Sequence, residues 1–135
     1  MSRLFAAAGA GLAVLIVSVG AFAASPLEGR WTLVDRQALG AAPGDAPAVT
    51  LEIQGDGVAA SAGCNRAAGG FQERGGKLEI GPLAATMMAC PPAIAKIEAR
   101  YFGLLESRPS WQIRGDRLTL TGAGATLTFK RAPAQ

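Results

Sequence analysis

Gly63-Cys64-Asn65 and Thr86-Met87-Met88-Ala89-Cys90 are the two stretches that decide the fold, because they carry the only two cysteines of the chain. The first follows a predicted β-hairpin, and the second precedes the one convincing helix. A bond between the two cysteines would hold the hairpin against the start of that helix. It would close a loop of roughly 27 residues, worth about 3 to 3.5 kcal/mol in the chain-entropy model.

The first 23 residues predict export, which bears on whether the cysteines pair. Met1-Ser2-Arg3 precedes an uncharged apolar run from Leu4 to Ala24, in which Ala21-Phe22-Ala23 forms a small-x-small site. This is the pattern of a secretory signal peptide cleaved after Ala23. An uncleaved membrane anchor is the alternative, because the run approaches the roughly 20 residues that span a bilayer. No cysteine stands directly after the run, which excludes a lipid attached to a new N-terminal cysteine.

We therefore predict a periplasmic or secreted bacterial protein with one domain over residues 24–135 and no transmembrane segment after cleavage. In an oxidising compartment, two cysteines in a small domain most often form a structural disulfide. A redox-active pair is the alternative, but the C-x-x-C spacing is missing and the sequence around Cys90 is apolar, which disfavours a reactive thiolate. The prediction is a structural disulfide between Cys64 and Cys90.

Composition limits the partners and the size of the core. The chain has 135 residues, of which half are hydrophobic and 17% are charged, so one core is expected and disorder is excluded. The formal charge of +3 falls to about +2 when Arg3 is removed with the signal peptide. The basic residues form no run along the sequence, and we predict a mixed solvated surface and no binding of nucleic acid.

Alternating apolar residues predict about eight short antiparallel strands. Trp31 and Leu33, with Asp35, would share one face of the first strand, and residues 37–47 read as a surface loop. Residues 49–53 and 58–62 form a predicted hairpin around the turn Gly55-Asp56-Gly57. The segment from Arg66 to Gly70 is interpreted as a loop with unusual backbone angles, before short strands at 71–73 and 78–80.

One helix and a final meander complete the predicted fold. Residues 83–90 are apolar and read as a buried connection, after which Pro91-Pro92 opens a helix near 92–106. Its expected core face is Ile94, Ile97, Tyr101, Leu104 and Leu105. Lys96, Glu98, Arg100 and Glu106 are expected to face water. Strands at 111–113, 118–120 and 126–129 follow. The fold class is mainly β, a small lipocalin-like antiparallel barrel or strongly curved sheet with one helix.

The absence of histidine removes the usual base for a serine or cysteine nucleophile, and an imidazole metal ligand. Two cysteines cannot form a four-ligand zinc site alone. The carboxylates are scattered over turns and exposed strand faces, without sign of a glycosidase-like pair. The paired glycines at 69–70 and 75–76 match no phosphate-binding template. We predict a protein that is not an enzyme and binds no cofactor or metal.

The motifs resemble those of the META domain, the HslJ-like family of bacterial envelope proteins. The resemblance covers nearly the whole mature chain. It is carried by these segments: Trp31-x-Leu33, Gly63-Cys64-Asn65-Arg66, Gly69-Gly70-Phe71, Gly81-Pro82-Leu83, Thr86-x-Met88-Ala89-Cys90-Pro91, Glu98, Tyr101-Phe102, Leu104-Leu105 and Leu118-Thr119-Leu120. The family implies a β-rich domain associated with envelope stress and antibiotic tolerance rather than a defined reaction. Ala67 departs from the aromatic residue common at its position, and many relatives are lipoproteins.

The motif residues Gly63, Asn65, Arg66, Thr86, Met88 and Ala89 have two interpretations. Asn65 can hold a turn and Thr86 can satisfy a carbonyl, which is a structural role. Alternatively, they contact a ligand or partner. For the whole protein, we predict a monomeric, stress-associated binding module that acts on a protein or envelope component. The alternatives are a barrel carrier of a small apolar ligand and an inhibitor of an envelope or host hydrolase.

Whether the barrel interior is filled or open distinguishes the binding module from the carrier. Small side chains that could leave room inside are Ala59, Ala60, Ala62, Ala84 and Ala85. Large side chains that could fill it are Trp31, Phe71, Met88, Trp111 and Phe129.

Overall fold

The computed structural model describes residues 9–18, 20, 25–42 and 47–133. Residues 9–18 form no helix or strand, and their side chains are exposed. The predicted cleavage site at Ala21-Phe22-Ala23 lies outside the described residues. Among the described helices, none is both long and apolar enough to cross a membrane.

Nine antiparallel strands and one α-helix make up the described part of the domain. In chain order, they are β1 Gly29–Leu33, β2 Thr50–Gln54, β3 Gly57–Ser61, β4 Arg66–Arg74, β5 Lys77–Ile80, β6 Ala84–Ala85, α1 Pro92–Glu106, β7 Ser110–Arg114, β8 Arg117–Gly122 and β9 Ala125–Arg131. Eight of them pair in the cyclic order β1-β2-β3-β4-β5-β7-β8-β9 and back to β1, which closes a barrel. The short β6 adds to β4 outside this ring. The predicted eight-stranded barrel is therefore confirmed.

The barrel closes unevenly around its circumference. β8 and β9 pair over six residues, whereas β5 and β7 share one register pair, Lys77 opposite Ser110. Two backbone bonds continue this thin seam, from Leu78 N to Pro109 O at 2.9 Å and from Trp111 N to Gly76 O at 3.0 Å. The narrow join between β5 and β7 follows from the route of the chain, because α1 connects the two halves of the sheet there.

Large apolar side chains fill the inside of the barrel. Trp31, Tyr101 and Phe129 are fully buried. Leucines from five strands and the helix pack around them and are also buried: Leu33, Leu51, Leu78, Leu104, Leu105, Leu118, Leu120 and Leu127. The strands of the ring contribute alternate residues to this core, because successive side chains of a strand point to opposite faces.

The helix α1 packs across the end of the barrel where β1 ends and β2 begins. Tyr101 donates its hydroxyl to the carbonyl of Thr50 at 2.8 Å, and its ring lies 6.2 Å from that of Phe129. Arg100 donates to the carbonyl of Leu39, in a short 3₁₀ helix at Arg36–Leu39. The predicted helix bounds and the burial of Ile97, Tyr101, Leu104 and Leu105 are confirmed. Ile94 is half-buried.

The opposite end of the barrel is closed by the segment before β1 and by the last strand. Leu27 is fully buried, and its carbonyl accepts a 2.8 Å hydrogen bond from Trp31 Nε1. Arg131 donates to the carbonyls of Glu28 and Pro26, and its guanidinium lies 4.2 Å from the centre of a Trp31 ring. These contacts bring both ends of the folded domain together at one place.

Three local predictions were wrong in the first half of the chain. Arg66–Gly70 is not a loop but the first part of β4, where it pairs with β3. Gly69 lies there because a Cβ would come within 3.3 Å of Leu83 and of the Pro82 carbonyl, so glycine permits close backbone approach. Asp35 does not share the face of Trp31: it is exposed, and its carboxylate accepts from Gln37 N at the start of the 3₁₀ helix. That helix buries Leu39 within the segment predicted as a surface loop.

Two predictions of burial were reversed around the second cysteine. Residues 84–89 are exposed rather than buried, and 94% of Met87 is accessible. The segment runs along the edge of β4 that β5 also uses, with Ala84 and Ala85 paired to Ala68 and Ala67. Glu98 was expected to face water, but it is buried beneath this segment. Its carboxylate is satisfied by Asn65, as described below.

Candidate functional site

Asn65 is the centre of a polar network that joins the two cysteine-bearing stretches. Its side-chain oxygen Oδ1 accepts from the Thr86 hydroxyl at 2.9 Å and from Met88 N at 2.8 Å. Its Nδ2 donates to Glu98 Oε2 at 2.9 Å and contacts Cys90 Sγ at 3.3 Å. One amide side chain thus bonds the helix and the connection that leads into it.

Glu98 completes the network from the helix side. Its Oε1 accepts from Asn65 N at 2.7 Å, so both carboxylate oxygens are bonded to the same residue. Glu98 is only 8% exposed. A buried carboxylate is costly unless hydrogen bonds replace its water, and the backbone and side-chain N–H groups of Asn65 do so. This pairing explains why an acidic residue is tolerated on the inner face of α1.

Thr86 and Arg66 join the exposed connection to the start of β4. Thr86 Oγ1 accepts from Arg66 N at 3.1 Å while it donates to Asn65, and Thr86 N donates to Arg66 O at 3.0 Å. β6 continues this pairing through Ala84 and Ala85. The backbone of residues 84–88 is therefore fixed against β4, although its side chains face water.

The disulfide between Cys64 and Cys90 is present, as predicted, and joins Cα atoms 6.0 Å apart. Gly63 precedes it with a φ of +105°, a left-handed conformation that favours glycine. A Cβ at Gly63 would also overlap the ring of Pro47. The backbone geometry and the crowding together account for the glycine before Cys64.

The structure does not bring the whole motif into one pocket. Asn65 is buried, whereas Arg66, Thr86, Met88 and Ala89 are exposed. Met88 contributes its backbone N–H to the network while 57% of the residue remains accessible. Glu98 is the member of the network whose environment was predicted wrongly, because it was expected to face water and is buried. Its position four residues after Ile94 and three before Tyr101 lies on the apolar face of the helix, so the spacing indicated burial, and only its charge indicated exposure.

Two open concavities lie on the outside of the barrel, and their charges differ in sign. The first has a volume of about 450 Å³, and its lining includes Asp56, Glu79 and Glu106 with one arginine, Arg108. The second has a volume of about 530 Å³. Its polar lining consists of Arg30, Thr32, Thr50, Glu52, Ser61 and Arg66. Arg30 Nε lies 3.5 Å from Glu52 Oε2, whereas the Arg66 side chain makes no ion pair with a residue of the described part.

The residues proposed to leave or fill interior space divide as follows. Ala60 and Ala62 face inward, but Ala59, Ala84 and Ala85 are exposed. Of the large candidates, Trp31, Phe71 and Phe129 are buried, Trp111 is half-buried and Met88 is exposed. Tyr101 and the buried leucines occupy the remaining interior. Over the described residues, no group of three or more acidic or cysteine side chains is placed to hold a metal ion.

Comparison with known proteins gives a family and a fold. The family model of the META domain matches residues 25–134. An NMR structure of a protein from Burkholderia xenovorans is 28% identical, covers 79% of this chain and 83% of its own, and has a TM-score of 0.62. A second NMR structure is 23% identical, with coverages of 77% and 89% and a TM-score of 0.63, and shows similarity of fold alone. No curated protein matches the chain.

Proposed function

The chain belongs to the META domain family, and from this premise we propose that it is an exported, non-enzymatic binding module of the bacterial envelope. It acts through its outer surface on a protein or envelope component, in a process associated with envelope stress. The observation that carries this proposal is the filled barrel. Trp31, Tyr101 and Phe129 are fully buried along the interior, where a carrier would hold its ligand.

The polar network supports a role without catalysis. A general acid or base must reach a substrate proton. Glu98 is the buried carboxylate of the described part, and both of its oxygens are bonded to Asn65. Asn65 in turn is engaged by Thr86, Met88 and Glu98. The network is thus built to hold the β4 start, the connection and the helix together, and we assign Asn65, Thr86 and Glu98 a structural role.

The disulfide supports the proposed location outside the cytoplasm. Such bonds persist in oxidising compartments such as the periplasm. The signal peptide proposed over residues 1–23 would deliver the chain there. Intact mass of the protein purified from a bacterial host tests this step: we expect a chain that begins at Ala24 and is two hydrogens lighter than the reduced form. A mass that includes residues 1–23 would contradict cleavage.

The binding proposal is tested by native mass spectrometry together with crosslinking in envelope extract. We expect bare protein in the first measurement and a specific crosslinked partner in the second. A lipid-like mass bound at one equivalent would instead support the carrier.

The absence of catalysis is tested separately with a panel of ester, peptide and glycoside substrates. Turnover that is lost in Glu98→Gln but kept in the matched surface variant Glu106→Gln would overturn the non-enzymatic assignment.

A further inference from the structure

Three cations stand directly opposite one another on the outside of strands β7, β8 and β9. Arg114 is paired in register with Arg117, and Arg117 with Lys130. All three are exposed, because the alternate residues Ile113, Leu118 and Phe129 point inward. Like charges directly opposite in a sheet are destabilising. The arrangement therefore has a cost that the fold itself does not require.

No carboxylate forms an ion pair with this group within the part of the chain that the structure describes. Asp116 lies in the turn between Arg114 and Arg117, but it makes no ion pair with either. Lys130 is likewise without an ion-pair partner among the described residues. The acidic residues Asp56, Glu79 and Glu106 line the other concavity. The two concavities thus differ in net charge, although Arg108 lines the first and Glu52, paired with Arg30, lines the second.

The same register position continues around the barrel as a row of hydroxyls that ends in another cation. Lys130 is opposite Thr32, Thr32 is opposite Thr50, Thr50 is opposite Ser61, and Ser61 is opposite Arg66. These four residues after Lys130 line the second concavity, of about 530 Å³. We call the row from Arg114 to Arg66 the basic belt. It crosses seven strands, or about 29 Å of surface at the usual strand spacing of ~4.8 Å.

We propose that the basic belt binds a flexible acidic polysaccharide. Cations at both ends would pair with its carboxylate or other acidic groups, and Thr32, Thr50 and Ser61 would exchange hydrogen bonds with sugar hydroxyls. This inference deepens the proposed function, on which it rests, by naming the class of envelope component that is bound.

The composition and curvature of the belt favour this partner over other polyanions. It contains no aromatic side chain on which the bases of a single-stranded nucleic acid could stack. It contains no apolar side chain that could enter a bilayer. Because it follows seven of the eight strands of the barrel, a flat membrane could contact only a part of it. A flexible chain can follow the curve.

Binding of fluorescent alginate to the purified protein tests the proposal, with polarisation as the readout. We expect saturable binding that weakens by about tenfold or more from low to physiological salt, as expected when several ion contacts release counterions. Neutral dextran of equal length should not bind.

Two triple variants of equal net charge distinguish binding by the belt from a general effect of the protein's positive charge. In Arg114→Gln/Arg117→Gln/Lys130→Gln, we expect affinity for alginate to fall by about tenfold at low salt. In the control Arg74→Gln/Lys77→Gln/Lys96→Gln, whose positions are exposed and outside the belt, we expect a change below about twofold. Thermal unfolding of both variants checks that they remain folded, and relief of the like charges should leave the belt variant at least as stable.

Several outcomes would overturn the proposal. They are an absence of alginate binding, an equal loss in both triple variants, and belt-dependent binding of oligothymidine, polyglutamate or phosphatidylglycerol vesicles that is as tight as that of alginate. If alginate does not bind but a protein partner is captured from envelope extract, the proposal of polysaccharide binding by the belt is refuted. The proposed function as a binding module is then unaffected.

Discussion

The two ends of the barrel are closed by different means. At the helix end, the chain leaves the ring after β5, runs along an edge of β4 and continues as α1, and a disulfide with the Asn65 network holds this excursion. At the other end, the segment before β1 meets β9 through Leu27, Trp31 and Arg131 without a covalent link. The covalent bond occurs where a long connection must be ordered.

The difference has an entropic reason. Strand pairing already brings β1 and β9 together, so the contacts of Leu27 and Arg131 add to an established pairing. The excursion through residues 81–91 has two register pairs with β4 and otherwise few backbone partners. Fixing each such residue costs about 1–2 kcal/mol of backbone entropy. We therefore expect that removal of the disulfide at the helix end changes stability mainly through the entropy of the unfolded chain. Substitutions at the other end should change stability mainly through packing in the folded state.

The largest effect is expected for removal of the disulfide. Cys64→Ser/Cys90→Ser should lower the free energy of unfolding by about 3 to 3.5 kcal/mol, because the open chain gains loop entropy when it unfolds. Urea unfolding followed by tryptophan fluorescence measures the loss, with the reduced native sequence as a matched control. A loss below about 1 kcal/mol would show that the network alone orders the excursion.

Leu27→Ala probes the end without the disulfide. Leu27 is fully buried, and its truncation leaves a cavity beside Trp31, so we expect a loss of about 3 kcal/mol. The slope of the free energy of unfolding against urea concentration should be unchanged, because the same surface is exposed on unfolding. An unchanged stability would contradict the closure of this end by residues 25–28.

Asn65→Ala tests the polar part of the helix end. The variant removes the side-chain partner of Glu98 Oε2, of the Thr86 hydroxyl proton and of Met88 N, while the bond from the backbone N–H of position 65 to Glu98 Oε1 remains. We expect a loss of about 2 kcal/mol. Thr86→Val removes one member from the exposed side and should cost about 1 kcal/mol. Equal losses in the two variants would mean that the Glu98 contact contributes little. Both are measured by urea unfolding with the disulfide intact.

Tyr101→Phe gives the smallest effect, and it depends on pH. Loss of the hydrogen bond to Thr50 O should cost about 1 kcal/mol near neutral pH. Burial raises the pKa of the Tyr101 phenol, so the native protein loses stability as the pH rises above the value of ~10 at which the unfolded phenol ionises. The variant should lack this alkaline loss. Absorbance of the single tyrosine reports ionisation, and ionisation at pH ~10 without unfolding would contradict the prediction.

The sequence predicted those parts of the fold in which one face of an element is apolar. Leu51 and Ile53 alternate with Thr50 and Glu52, and the stripe of Ile97, Tyr101 and Leu104 has helical spacing, so strand and helix were both found. The meander of β7, β8 and β9 was found for the same reason. Local periodicity is sufficient where the buried face is determined locally.

The predictions failed where burial depends on a distant partner. Residues 84–89 are mostly apolar, but they are exposed, and Ala84 and Ala85 pair with an edge of β4. Glu98 is buried because Asn65, 33 positions away, supplies two N–H groups. The basic belt could not be read from the sequence either, because its cations become neighbours only through strand register. Periodicity contains no information on such distant pairings.

The first and last residues of the domain meet at one end of the barrel, so the same fold is compatible with a different linear order of its strands. Arg131 Nη2 lies 2.8 Å from Pro26 O, and Ala132 N donates to Arg30 O at 2.8 Å. A short linker could therefore join the domain's ends, and new ends could be cut at the exposed turn Gly75-Gly76. Such a circular permutant would keep all eight strands of the ring, and the disulfide would then join Cys90, near the new N-terminus, to Cys64, near the new C-terminus.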